Sequence, residues 1–115
     1  MTTRPRLLIL IVAYNAEKNI GAVLGRVPRQ LAQEYDVDVL VLDDSSADRT
    51  FEKSRQVQRE GTIPFALHVL FNPVNQGYGG NQKIGYHFVI EYLLQEAHHE
   101  AAIRSEADQR RAPVR

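Results

Sequence analysis

Val39-Leu40-Val41-Leu42-Asp43-Asp44-Ser45-Ser46-Ala47-Asp48-Arg49-Thr50 is the stretch whose reading decides the fold. Four apolar residues run into two carboxylates, then into small polar residues suited to helix caps. The apolar run fits a strand buried on both faces of a parallel sheet. Its abrupt end places the acids at the carboxyl edge of that sheet, where open α/β sheets bind ligands. Two readings of the acids stand side by side. Either they serve a ligand, or Asp44 or Ser46 caps the next helix while Asp43 is solvated.

Similar runs lie on either side. Strands are expected over Leu7–Val12, Val37–Leu42 and Phe65–Phe71. Asn15 is placed to cap a helix beginning near Ala16, with Ile20, Val23, Leu24, Val27 and Leu31 at helical spacing. Pro28 must end, kink or restart that helix. Ser46 or Asp48 caps a second helix, which carries Phe51, Ser54 and Val57 on one face and stops at Gly61. Asn72–Asn81 reads as a turn-rich loop. A third helix is expected from about Gln82, with Ile84, Phe88 and Tyr92, then Val89 and Leu93, at i,i+4 spacing. Strands that alternate with helices make parallel βαβ units. The fold class is therefore α/β, a Rossmann-like half-fold with helices on both faces of the sheet.

From residue 91 the text changes. Residues 91–115 form a polar tail, expected to prolong the last helix and then fray. His98 and His99 are adjacent, so on a helix they point about 100° apart and make a poor metal pair.

Composition narrows the function. The 115 residues are 43% hydrophobic and 24% charged, ordinary for one globular domain. Fourteen basic residues balance fourteen acidic ones, so there is no global pull toward nucleic acid or anionic lipid. Without cysteine, disulfide frameworks and thiolate metal sites are excluded. The run Leu7–Ala13 is too short to span a bilayer, and a cytoplasmic location is the default expectation.

A dinucleotide fold needs Gly-x-Gly-x-x-Gly after the first strand, but Ala13-Tyr14-Asn15-Ala16-Glu17 has no glycine. A P-loop needs Gly-Lys-Ser/Thr, which does not occur. The glycines sit after the third strand instead. Gly77, Gly79 and Gly80 either leave amides open to an anion at a helix N-terminus or form a tight turn needing positive φ.

Three stretches together resemble the nucleotide-sugar half of a glycosyltransferase family 2 domain, of the GT-A fold. They are Ile11-Val12-Ala13-Tyr14-Asn15-Ala16-Glu17-Lys18-Asn19-Ile20, Val41–Thr50 of the opening stretch, and Asn75-Gln76-Gly77-Tyr78-Gly79-Gly80-Asn81-Gln82-Lys83-Ile84-Gly85. The resemblance covers about residues 6 to 90 and implies a partial nucleotide-sugar-binding domain over residues 1–90. It implies the strand order 3-2-1. It also implies that Ala13, Tyr14, Asn15 and Asp43 hold the nucleotide, with Asp43 accepting from the N–H edge of uracil or guanine. Asp44 and Ser45 would support that loop, and Lys83 would lie near the diphosphate. The wider family transfers a sugar from an activated nucleotide donor, often to a lipid or polysaccharide.

The departures are specific. Val12 stands where the family's proline is usual, and Ala16 where an acid usually follows Asn15. A complete member continues into a fourth strand ending in Asp-x-Asp, whose carboxylates hold magnesium or manganese on the diphosphate. No such strand follows the last helix here. The expectation is a truncated domain, with no catalytic residue, metal site or cofactor of its own. A non-catalytic interaction fragment is the alternative. An acetyl-CoA-dependent acyltransferase is a second, because Gln76-Gly77-Tyr78-Gly79-Gly80 resembles the pyrophosphate loop of that fold. Without a fourth strand, Leu7–Val12 would be an open edge prone to self-association. Some of Ile84, Phe88, Val89 and Leu93 would then stay exposed.

Overall fold

The computed structural model describes residues 4–94. Three strands, β1 (Arg6–Ala13), β2 (Asp36–Asp43) and β3 (Ala66–Phe71), form one parallel sheet in the order β1-β2-β3. This is the expected α/β architecture and strand order. β2 lies in the middle, and Val39, Leu40, Val41 and Leu42 are completely buried. Its near-continuous apolar text follows from that position, since both faces are covered.

Alternate residues divide the core in two. Val37, Val39, Val41, Leu67 and Val69 pack on one face, against Ile20 and Leu24 of α1 (Ile20–Gly25) and Phe51 and Val57 of α3 (Thr50–Glu60). Leu40, Leu42 and Leu70 pack on the other, against Phe88 of α4 (Gly77–Phe88) and Leu93 of a π-helical turn, Val89–Leu93. α4 comes so close to β1 that a Cβ on Gly85 would meet Leu10 Cδ2 at 3.1 Å.

Several local expectations are corrected. Asn15 caps no helix: its φ is 50°, and α1 starts five residues later, behind a turn in which Ile20 N donates to Ala16 O. After α1 the chain restarts beyond Pro28 as the short α2 (Leu31–Glu34). α4 begins at Gly77 rather than near Gln82, so half of the supposed loop is helix. Phe88 and Leu93 are buried, and Ile84 and Val89 partly so. The exposed apolar residues there are Tyr86, Ile90 and Leu94 instead, because the helix turns its Phe88 side to β2 and β3. The described part of the tail continues helically to Leu94, and the expectations for the rest, His98 and His99 included, lie outside the described residues.

At the amino edge of the sheet a buried polar group ties this second face together. Asp38 accepts from Arg6 Nη2 at 3.0 Å and faces His68 Nε2 at 2.8 Å. Arg6 also donates to the carbonyl of Leu93, so the cluster pins the last turn to the sheet. Burial works against the Asp38 charge. The bonds from His68 and Arg6 outweigh it and hold the carboxyl below its ordinary pKa.

Candidate nucleotide site at the carboxyl edge

The three loops that leave the carboxyl ends of the strands are stitched to one another. Between the first two, Asn15 N donates to Ser46 Oγ and Ala47 N donates to Asn15 Oδ1, each at 2.8 Å. Ala16 N donates to Thr50 Oγ1, Glu17 N to Asp48 Oδ2, and Arg49 N to Glu17 Oε1. Asp48 also accepts from Thr50 N at 3.0 Å; the N-cap position of α3 is Arg49, so neither Ser46 nor Asp48 occupies it, and Asp48 holds the first helical amide from one residue further out. The Thr50 hydroxyl bond is the main reason that the Asp48 carboxyl titrates below its ordinary value. The left-handed backbone of Asn15 turns its amide and its side chain toward the second loop at once.

Asp43 is the last residue of β2 and Asp44 follows it, and their side chains go to opposite sides of the sheet, as strand alternation continued by one residue would place them. Asp44 turns toward α4. Its Oδ1 accepts from Gln76 N at 2.7 Å and Asn72 Nδ2 at 3.0 Å, and its Oδ2 accepts from Gly77 N at 3.1 Å. Asn72 Nδ2 passes a second bond to Asn81 Oδ1, and Asn81 Nδ2 donates to the carbonyl of Gly77. Burial raises the cost of the Asp44 charge, but these donors overcome it and lower its pKa. The amides of Gln76 and Gly77 are therefore already occupied. Of the two readings of the glycines, the positive-φ turn holds at Gly77, whose amide is taken by Asp44 and is not open to an outside anion. Gly77 has a φ of 70°, which lets its amide turn to the carboxylate where other residues would be strained. Ser45 also has positive φ, 68°, and its hydroxyl donates to the carbonyl of Pro73.

Asp43 turns the other way and is completely buried. Its Oδ1 accepts from Ser46 N at 3.0 Å, while its Oδ2 has no hydrogen-bond partner. An orphaned buried carboxylate oxygen is costly and rare in native structures. Asp43 lines a hollow of about 250 Å³ with Ser46, Asp48, Phe51, Glu52 and Phe71. Phe51 and Phe71 meet edge to face, with centroids 5.6 Å apart. Two larger hollows lie along the outer side of α3 and between α1 and α3; neither is lined by Asp43.

Of the residues singled out in the sequence, Ala13, Tyr14, Asn15, Asp43, Asp44 and Ser45 gather at this edge. Ala13 is buried and its carbonyl accepts from Asp44 N, while the Tyr14 ring is exposed. Lys83 sits exposed in the second turn of α4 and makes none of the ion pairs among the described residues. The sequence reading missed Asn72 and Asn81, whose signal is only that both are buried polar residues. It also missed Phe71 and Glu52. The literal Asp-x-Asp of the chain, Asp36-Val37-Asp38, stands at the opposite end of the sheet and is engaged by Arg4, Arg6 and His68. Among the described residues no three His, Cys, Asp or Glu side chains converge to hold a metal ion. None of the described helices is long and apolar enough to cross a membrane.

A search of curated proteins returns no match. A family model does match, over residues 8–89, and these take in all but the first two residues of β1, the whole of β2 and β3, and the loops that carry Asn15, Asp43, Asp44 and Gly77. The chain belongs to glycosyl transferase family 2.

Proposed function

We propose that this chain binds the nucleotide of a nucleoside-diphosphate sugar at the carboxyl edge of its sheet. The observation that carries the reading is the orphaned Asp43 Oδ2, held buried at the edge where α/β sheets bind ligands. A base N–H supplies the missing donor. Ala13, Tyr14 and Asn15 frame the nucleotide from the first loop. Asp44 and Ser45 hold the second loop against the third. Lys83 is assigned to the diphosphate by its place on α4 alone.

Donor binding is the part of the family's chemistry that these residues support. The described residues do not make a divalent-cation site. Sugar transfer is proposed to need a metal site and a base beyond the described residues. The acyltransferase alternative rests on the loop at residues 76–80, where Asp44 occupies the Gln76 and Gly77 amides, and the parallel pairing of the described strands also speaks against it.

The sheet edge bears on partners. Pro5 O accepts from Asp36 N of β2 and Ala13 O from Asp44 N just beyond it, so alternate residues of β1 face β2. The backbone groups of Arg6, Leu8, Leu10 and Val12 then point outward, and no described strand pairs with them. A second copy of the chain is the proposed occupant of this edge, as an antiparallel strand related by a two-fold axis.

Calorimetric titration of the purified chain with nucleoside diphosphates tests the main reading. Binding that weakens about tenfold or more in Asp43→Ala supports it, since a hydrogen bond to a charged group is worth roughly 1.5–3 kcal/mol. Equal affinity in a folded Asp43→Ala would reduce Asp43 to a loop residue.

A further inference from the structure

We infer that a second copy of the chain is held at the β1 edge by two layers, the outer one being the flank of α4 that carries Tyr86 and Ile90; the inference rests on the strand-pairing proposal above and extends it. The helix itself shows why this flank is bare. Residues step about 100° round a helix. Gly85 stands over Leu10 of β1. Phe88 leans from there toward β3, its ring centroid 5.0 Å from that of His68. Ile84 and Tyr86 lie on opposite sides of Gly85. Ile84, on the Phe88 side, packs with Leu40, Leu42 and Leu70. Tyr86, on the other side, is 67% exposed.

The side away from β3 is the side of the open edge, because no described strand lies beyond β1. Ile90, four residues on, continues the flank at 56% exposed. The sheet adds Val12, which shares the α4 face with Leu8 and Leu10 but is left exposed. An apolar surface of Val12, Tyr86 and Ile90 therefore runs alongside the unpaired backbone of β1.

The symmetry of the edge selects the occupant. Two β1 strands paired antiparallel are related by a two-fold axis perpendicular to the sheet. Such an axis keeps each face of the sheet on its own side. Both α4 helices then stand on the same face, run antiparallel and meet flank to flank. The register that pairs most of β1 puts the axis beside Ile9 or Leu10, the middle of Arg6–Ala13. Because Gly85 sits over Leu10, its neighbour Tyr86 comes close to the axis and meets Tyr86 or Ile90 of the copy. An unrelated strand could pair with β1 but would bring no helix to this flank. Area points the same way. A stable interface buries about 800 Å² on each partner. A single ladder along β1 falls short of that, and an apolar seam between helices supplies the dry centre of a homodimer.

The chain has no cysteine, so an introduced thiol is unique. Whole chains carrying Tyr86→Cys, or Gln56→Cys on the exposed face of α3, are treated at micromolar concentration with a short bismaleimide. Tyr86→Cys is expected to be captured as a covalent dimer, and Gln56→Cys to stay monomeric. In sedimentation, Ile90→Glu is expected to weaken the dimer about tenfold or more, because it sets an unpaired charge in the seam. Its thermal unfolding, at a dilution where both chains are monomers, should match that of the native chain. A native dimer in which Ile90→Glu changes nothing, or in which Tyr86→Cys is not captured, overturns the helix layer and leaves the strand pairing standing. A native chain that stays monomeric overturns both. If the Tyr86→Cys thiol of that monomer also resists a monofunctional maleimide, the chain covers this flank itself.

Discussion

The carboxylate of Asp44 caps α4 at Gly77, 33 residues further along the chain, with Oδ2 3.1 Å from the Gly77 nitrogen. A helix whose first four residues include three glycines has weak intrinsic support. Here the residue just after β2 supplies it: a negative charge set on the positive end of the helix, with two amides bonded to it. Asp44→Ala should remove about 2–3 kcal/mol of stability, because it strips a charged acceptor from the buried Asn72 amide and from the part-buried Gln76 and Gly77 amides. Hydrogen exchange at Gln76 to Gly80 should accelerate more than exchange in β2. A loss below 1 kcal/mol in denaturant unfolding would show that the cap is dispensable.

Acid should act through three carboxylates together. Asp38, Asp44 and Asp48 all have folded pKa values below the 3.8 of an unperturbed aspartate. A depressed folded value means that the stabilisation is complete above the unfolded pKa and is lost as pH falls through the folded values. Unfolding midpoints should therefore change little on account of these groups between pH 8 and about 5, then drop below about pH 4. A chain equally stable at pH 3 and pH 6 would contradict the hydrogen bonding described for these side chains.

The sheet was legible in the text because Leu7–Val12, Val37–Leu42 and Phe65–Phe71 are apolar runs too short for helices and too continuous for a half-exposed sheet. The observed strands extend or trim these runs by a residue or so. What was not legible is whatever depends on residues far apart. Gly77–Gly80 looks like a loop locally and becomes helix because of Asp44. Asn15 looks like a helix cap and instead bonds across to Ser46 and Ala47. The division of labour between Asp43 and Asp44 does follow from the text once β2 is placed, since strand neighbours face opposite ways. Which face carried the hollow did not, because it takes Phe51 and Phe71 from two other elements.

Asp43 should be a residue the fold would rather do without. Its Oδ2 is buried without a donor, whereas Oδ1 keeps one bond from Ser46. Asp43→Asn preserves that bond and removes the charge. The variant should be as stable as the native chain or more so, by up to about 1–2 kcal/mol, while losing nucleotide affinity. Thermal unfolding and calorimetry on the same samples separate the two effects. A strongly destabilised Asp43→Asn would mean that the carboxylate is a structural anchor, and the case for a ligand at Oδ2 would fall.

The edge of β1 gives the last expectation. Leu7 to Ile11 are only half buried, and Val12 is 40% exposed, although the text reads like that of a central strand. No lysine, proline or positive-φ residue interrupts β1 to discourage pairing. Long apolar edges of this kind recruit other chains. A two-fold axis through the edge would set β1 against its copy antiparallel, so outward-facing groups at Leu8, Leu10 and Val12 would meet their equivalents and close the assembly at two. Sedimentation of the native chain at micromolar concentration should then show a dimer. Val12→Lys places a charge on the exposed rim without touching the bonds to β2, and should return the chain to monomer with its thermal stability nearly unchanged. A well-dispersed native monomer across that range would show that the edge is protected, and the strand-pairing proposal would be wrong.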